Sequence, residues 1–563
     1  MRRSVVLSLL ALMLMASGAD GALRPRVNGA AKTTLDRTIV AEGERELTYG
    51  PGAPRVTRTL GWKAGRGKAR PLGGFKQISD VHVIDEESPA RVEFLDQCSS
   101  PFSAAYRVQE SLSLQIGNSM LKQLAVNKAG PALGEPLDFV ISTGDNVDNN
   151  QLNETRGFID LLDGETVNPN SGAETYDGYT KEQFSQALEL ETLELAQEPF
   201  DSVGTGLPWY AVLGNHDGLA QGNVVANEGF NSFAVGGTKP FRSLEANENC
   251  PDDPNDMQQV LGSIADAVAT DGRSVPADPD RHFTDHEELV GEYFNSSGTP
   301  NGHGFAGAPD DPLHEGERGS YYSFPLGKKI TGISLDTISY TAGPNGHIPD
   351  PQFEWLVEEL KKNSKSYLEG GEPVKNPEGD DNLIVLFSHH SSKTLNNPGG
   401  DPEAEPYHCF ERSSNPECAS GEGLRQLFQR FPNVIAWVNG HEHNNRVRPF
   451  KVPKEQDQAL GFWEINTAAH IDWPQQSRLI EFGWRPGREA DSVVIFGTAI
   501  DHAAALAPDP SKQSNEDYLA SIARIEAYYD ACVREGQAAC NAPGGKKHRN
   551  VRLVQKAPFD LGR

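Results

Sequence analysis

Trp209-Tyr210-Ala211-Val212-Leu213-Gly214-Asn215-His216-Asp217 is an apolar run that stops abruptly in an amide, an imidazole and a carboxylate. Five apolar residues bounded by glycine read as a short buried strand. Polar side chains then sit at its C-terminal tip, the place where open α/β sheets bind ligands. One such tip carries little weight, and the fold turns on whether other strands end the same way. Four do. The strand read over 75–79 ends in Asp80-Val81-His82, and that over 137–141 in Gly144-Asp145-Asn146-Val147-Asp148. The strand over 382–387 ends in Ser388-His389-His390, and that over 434–438 in Asn439-Gly440-His441-Glu442-His443.

Between these strands the apolar spacing changes period. Val108, Leu112, Ile116, Met120 and Leu124 recur every fourth residue and predict a helix between the first two strands, hence a parallel crossover. Further helices are expected over 182–197, over 352–363 with Phe353, Leu356, Val357 and Leu360 on one face, and around Leu424, Leu427, Phe428 and Phe431. Strands over 321–324 and 330–335 read as a hairpin turned by Gly327, and strands over 462–467 and 492–500 complete the set. The alternation of strands and helices therefore points to an α/β fold class.

The chain of 563 residues exceeds one ordinary core, and 56 glycines with 38 prolines predict long loops. A domain over 75–500 is expected, with a loop-rich insertion over 218–318, an arm or edge hairpin over 23–74 and a helical extension over 501–563 whose end is basic and loosely held. A formal charge of −28 argues against nucleic-acid binding. Arg2 and Arg3, an apolar run from Val5 to Met15 and small residues near Ala19 predict a cleaved signal peptide over 1–22. The Arg pair leaves the general and twin-arginine export routes open. No later stretch reads as a membrane anchor, so a secreted, periplasmic or cell-surface protein is expected.

Six cysteines suit that compartment. Cys409 lies near Cys418 and Cys532 near Cys540, leaving Cys98 and Cys250; local pairing is favoured among the fifteen connectivities. A zinc site is the competing reading, but the spacings lack paired CxxC knuckles.

Imidazoles, carboxylates and one amide oxygen are ligands for borderline divalent ions such as Zn²⁺, Fe²⁺ and Mn²⁺. There are too many for one tetrahedral ion; two ions about 3.5–4 Å apart, sharing a carboxylate, would use them all. These five motifs, in this order and each after a strand, resemble the calcineurin-like metallophosphoesterase superfamily, which includes purple acid phosphatases and cyclic-nucleotide phosphodiesterases.

The resemblance implies a four-layer β-sandwich of two mixed sheets flanked by helices, with metals at the strand tips. It implies that Asp80, His82 and His443 hold one ion, that Asn215, His389 and His441 hold the second, and that Asp145 bridges. It further implies hydrolysis of a small-molecule phosphate mono- or diester by attack of a metal-bridging hydroxide, with His216 protonating the leaving group and Asp148 orienting His216. Asn215 and His216 are the expected substrate contacts. His470 and Arg478, which follow the last metal strand, are candidates for the same role, with ordinary hydrogen-bonded loop residues as the alternative, and Asp217 and His390 are read as support. The insertion histidines 282, 286, 303 and 314 are read as solvated. A metal-containing phosphoester-binding protein with little turnover is the alternative.

Two departures from the family pattern have consequences. Purple acid phosphatases carry a metal-binding tyrosine where this chain has Asp148, so no tyrosinate colour is expected. Ser/Thr phosphatases carry a phosphate-binding arginine where this chain has Asn149, which argues against protein phosphatase activity.

Overall fold

The computed structural model describes residues 31–562 apart from 64, 99–101, 103, 174, 245–249, 253–256, 312–316, 342, 398–406, 412–417 and 419–421. The expected signal peptide lies outside the described residues, as does His314.

Two mixed sheets face each other. The first runs, edge to edge, Val56–Thr59, Val551–Lys556, Ser492–Asp501, Gln476–Arg485, Arg70–Ile78, Val140–Thr143 and Trp209–Val212. The second runs Tyr322–Gly327, Ile330–Ser334, Leu383–Phe387, Val434–Asn439, Phe462–Asn466 and Arg446–Phe450. In the first sheet the three strands from Arg70 to Val212 are parallel neighbours, and in the second the four strands from Ile330 to Asn466 are.

Strand periodicity builds the layers. Leu383, Val385 and Phe387 point into the core between the sheets, where Phe387 meets Phe75 with ring centres 5.4 Å apart. Ile384 and Leu386 point the other way, onto Leu356, Leu360, Leu427 and Phe428 of helices Asp350–Lys362 and Leu424–Arg430. Outside the first sheet lie helices Ser113–Val126 and Asn515–Tyr529, with Ile116 and Leu519 in one cluster. This is a sandwich of two mixed sheets between helical layers, as the resemblance implies.

The C-terminal end of the chain differs from the sequence reading. Val551–Lys556 is not a loose tail; it enters the first sheet between Ser492–Asp501 and the edge strand Val56–Thr59. Val551, Leu553 and Val554 supply the buried side chains that make this favourable, an alternation short enough to escape notice beside the basic residues before it. Gln476–Arg485, a long strand central to the same sheet, was also not expected, because its mixture of Arg, Glu and Gly masks the apolar alternation. The helix expected over 182–197 is confined to Leu190–Ala196.

The insertion packs down on the core. His303, expected in solvent, stacks on Trp209 with ring centres 3.3 Å apart, and His286 is also buried. Lys239 is fully buried, its Nζ donating to the carbonyl oxygens of Glu86, Ser88 and Arg91 and to Glu93 Oε1 at 2.6 Å. Disulfides join Cys98 to Cys250, Cys409 to Cys418 and Cys532 to Cys540, as the pairing by proximity anticipates.

Candidate metal centre

Parallel strands end level with one another, so their C-terminal tips bring the five polar motifs to one edge of the sandwich. The ligand-type residues are held there in unusual backbone conformations. Among the described residues, ten non-glycine residues have positive φ, and five of them are Asp80, His82, Asp145, His441 and His443. Left-handed backbone is costly for such residues and persists only where the surroundings over-determine it. The turns thus aim side chains at a common centre at the expense of local stability.

The glycines of the motifs serve mainly for clearance. Gly144 combines a φ of 89° with a position against the His389 ring. Gly214 and Gly440 need no positive φ; a Cβ on either would overlap a carboxylate, that of Asp145 or of Asp80.

The donor atoms fall into two groups. His82 Nε2 lies 3.3 Å from His443 Nε2, which lies 3.2 Å from Asp80 Oδ1. His389 Nε2 lies 3.1 Å from His441 Nδ1, which lies 3.1 Å from Asn215 Oδ1. Asp145 Oδ2 stands between them, 3.0 Å from His389 Nε2 and 3.6 Å from His82 Nε2. Two such clusters, Asp80–His82–Asp145–His443 and Asp145–His389–His441, have the donor content for a cation each.

Hydrogen bonds on the far side fix which lone pairs face inward. His82 Nδ1 donates to Asp148 Oδ1 at 2.7 Å, His389 Nδ1 to the Thr143 carbonyl at 2.9 Å, and His443 Nδ1 to Asp472 Oδ2 at 2.6 Å. Each leaves Nε2 as the free acceptor, as metal-binding imidazoles require. Asn215 donates through Nδ2 to the Gly222 carbonyl at 3.0 Å, which leaves Oδ1 on the centre. Acceptors packed against acceptors repel one another unless a cation lies between them, a proton in the metal-free protein or a metal ion once loaded, so the residues present fit a metal pair.

Charge follows the same logic. Burial would lower the imidazole of His389, yet the Asp145 carboxylate raises it to about 9. Burial likewise opposes His443, and Asp80 with Asp472 raises it to about 10. His82, where burial prevails, is lowered to about 4. Burial and the charge of Asp145 push Asp217 up to about 8. Asp217 accepts from the backbone nitrogens of Gly214, Asn146 and Val147 and so ties two of the motif loops together. His390 is a similar brace, bonded to Thr337 and the Pro344 carbonyl.

Three sequence assignments change. Asp148 does not orient His216 through its carboxylate, which lies 3.8 Å from His216 Nδ1; the Asp148 carbonyl oxygen accepts from Nδ1 at 2.6 Å instead. The carboxylate serves His82 and the fully buried Arg91 guanidinium. Burial would raise the Asp148 carboxyl, but Arg91 and the His82 bond hold it well below its usual range. His470 and Arg478 do not face the cleft. His470 is buried, with Nε2 on Ser477 Oγ and its backbone nitrogen on the Asp80 carbonyl. Arg478 belongs to a strand with neighbours on both sides, and its guanidinium bonds Thr467, Asn445 and the Arg549 carbonyl, anchoring the C-terminal segment.

The cleft over the centre holds about 280 Å³ and is lined by Asp145, Asn215, His216, His441 and His443 together with Arg107, Gln221, Asn223, Glu442 and Asp472. His216 is half-buried, as are His441 and His443, and its ring stands edge-on to His82 at 4.7 Å. Arg91, Arg107 and Asp472 escaped the sequence reading, because none lies in a strand-tip motif; Asp472, two residues beyond His470, was the nearest to being found.

A family model described as calcineurin-like phosphoesterase matches residues 75–445, more than half of the chain. The chain belongs to that family. It is accordingly a hydrolase acting on phosphoester bonds. A solved structure of PhoD is 11% identical over 87% of this chain and 83% of that one, at a TM-score of 0.27, and the family assignment does not rest on it. No curated protein matches the chain.

Proposed function

We propose that the protein is an exported, binuclear-metal phosphoesterase acting on a small-molecule phosphate mono- or diester. The observation that carries this reading is Asp145 Oδ2, which is shared between the His82 side and the His389 side of the centre. Asp80, His82 and His443 would hold one ion, Asn215, His389 and His441 the other, with Asp145 on both. Two divalent ions, whether Mn, Fe or Zn, would supply Lewis-acid charge to the phosphoryl group and acidify the attacking water.

The chain supplies the rest. Asn215 and His216 sit together on the cleft wall, and the His216 backbone nitrogen donates to Asp145 Oδ1 at 2.9 Å, which fixes the imidazole relative to the shared carboxylate. With Nδ1–H committed to the Asp148 carbonyl, Nε2 is the atom that carries a proton to the departing ester oxygen. Water provides the oxygen that replaces the alcohol on phosphorus. Three disulfides support an oxidising compartment outside the cytoplasm.

Turnover of p-nitrophenyl phosphate and bis(p-nitrophenyl) phosphate by metal-loaded protein tests the reading. Metal-dependent hydrolysis of at least one is expected. Failure with both, and with cyclic nucleotides, would overturn it.

A further inference from the structure

The arginine that related phosphatases place after their second motif is absent here, and Asn149 does not replace it. Asn149 is buried with its Oδ1 on the Gln221 backbone nitrogen and does not line the cleft. A different arginine does. Arg107 comes from the loop before helix Ser113–Val126, is 4% exposed, and lines the cleft beside Asp145, Asn215, His216 and His443.

Its hydrogen bonds leave one end unused. Nε donates to Asp472 Oδ1 at 3.0 Å and Nη1 to Asp148 Oδ1 at 3.4 Å. Among the described residues, Nη2 makes no hydrogen bond. A guanidinium carries five N–H donors in a rigid fork, and Nη2 is not one of the fully buried donors without a partner, so it is open to an acceptor entering the cleft. Arg91 shows the contrast. It bonds Asp148, Glu110 and Gln221 through both terminal nitrogens and has no place in the cleft lining.

The two carboxylates that hold Arg107 also hold the centre: Asp472 bonds His443 and Asp148 bonds His82. The fork is therefore fixed relative to the proposed ligands before any substrate arrives, and little side-chain freedom is lost on binding. The two carboxylates also keep the guanidinium charged against the cost of burial and the repulsion of Arg91.

We infer that Arg107 is the phosphate-gripping residue of this protein, with Nη2 donating to a non-bridging oxygen of a tetrahedral oxyanion in the cleft. The inference rests on the proposed function. It gives the site an arginine at a position that motif reading does not find.

Inorganic phosphate is the probe. Its inhibition constant and its calorimetric affinity are measured on metal-loaded parent protein and on Arg107→Gln and Arg107→Lys, with bound metal per chain determined on the same samples. Arg107→Gln is expected to keep the parent's metal and lose roughly 10–100-fold in phosphate affinity, the loss of a charge-assisted hydrogen bond. Arg107→Lys, which preserves charge near Asp472 and Asp148 and is the variant to use if the Gln form does not fold, is expected to lie between. Unchanged phosphate affinity in either variant would overturn the inference. So would metal content falling in step with phosphate affinity, since Arg107 would then act only through His443 and His82. Parent protein that neither binds phosphate nor hydrolyses any ester would overturn the proposed function itself.

Discussion

His82 and Asp148 form the hinge between the metal centre and the protein behind it: Nδ1 of the first lies 2.7 Å from Oδ1 of the second. Because His216 takes only the carbonyl oxygen of Asp148, the side chain and backbone of one residue serve different parts of the site. A carboxylate behind a ligating imidazole orients the ring and raises its basicity, so its loss weakens metal binding more than proton transfer.

Asp148→Asn is therefore expected to lower metal affinity by roughly 10–100-fold, read by competition with a chelator. At saturating metal and saturating substrate most of the rate should return, since the carbonyl contact to His216 survives, while KM rises because Asp148 Oδ1 also holds Arg107. A kcat that stays low with metal and substrate both saturating would restore Asp148 to the acid–base role.

His216→Ala should keep the full metal complement while kcat falls roughly 10²–10⁴-fold. The loss should be greater for an alkyl ester than for a nitrophenyl ester, whose leaving group needs little protonation. Loss of metal in this variant would make His216 a ligand.

The insertion reaches the same hinge through Lys239, whose Nζ lies 3.2 Å from the carbonyl oxygen of Arg91, the partner of Asp148. Lys239→Met would strand the buried Glu93 carboxylate and three carbonyl groups. The expected cost is roughly 3–5 kcal/mol, measured by urea unfolding. A change under about 1 kcal/mol would mean that the insertion is not braced through this residue.

Loading the metal-free protein should release protons. With His389 raised to about 9 and His443 to about 10, both imidazoles are charged at neutral pH, and each must lose its proton before Nε2 can ligate. Apparent metal affinity then rises with pH up to those values, and about two protons should appear per loaded centre at pH 7. Calorimetry in buffers of different ionisation enthalpy counts them; no buffer dependence would contradict the assignment.

The strand tips were legible because each couples an abrupt end of apolar periodicity to ligand-type residues, a signal confined to a few neighbouring positions. His82, Asp145 and His441 could be named as candidate ligands on that basis, and the structure brings them together. What supports them was not legible. Arg91, Arg107 and Asp472 reach the site from loops with no period of their own, and their roles depend on long-range contacts such as Arg107 to Asp472, 365 positions apart. His470 and Arg478 misled for the opposite reason: proximity in sequence to a motif does not say which face of a turn or strand a side chain takes. Val551–Lys556 was missed because a six-residue strand beside a basic tail carries too little pattern to outweigh its surroundings.

Asp145 is the test of the whole arrangement, since its Oδ2 alone serves both sides. The most direct measurement is bound metal per chain, by elemental analysis, in parent protein and Asp145→Asn, with phosphoester turnover on the same samples. Two ions per parent chain, with both occupancy and turnover falling together in the variant, is the expected result. A variant that retains two ions and the parent's rate would contradict the shared centre.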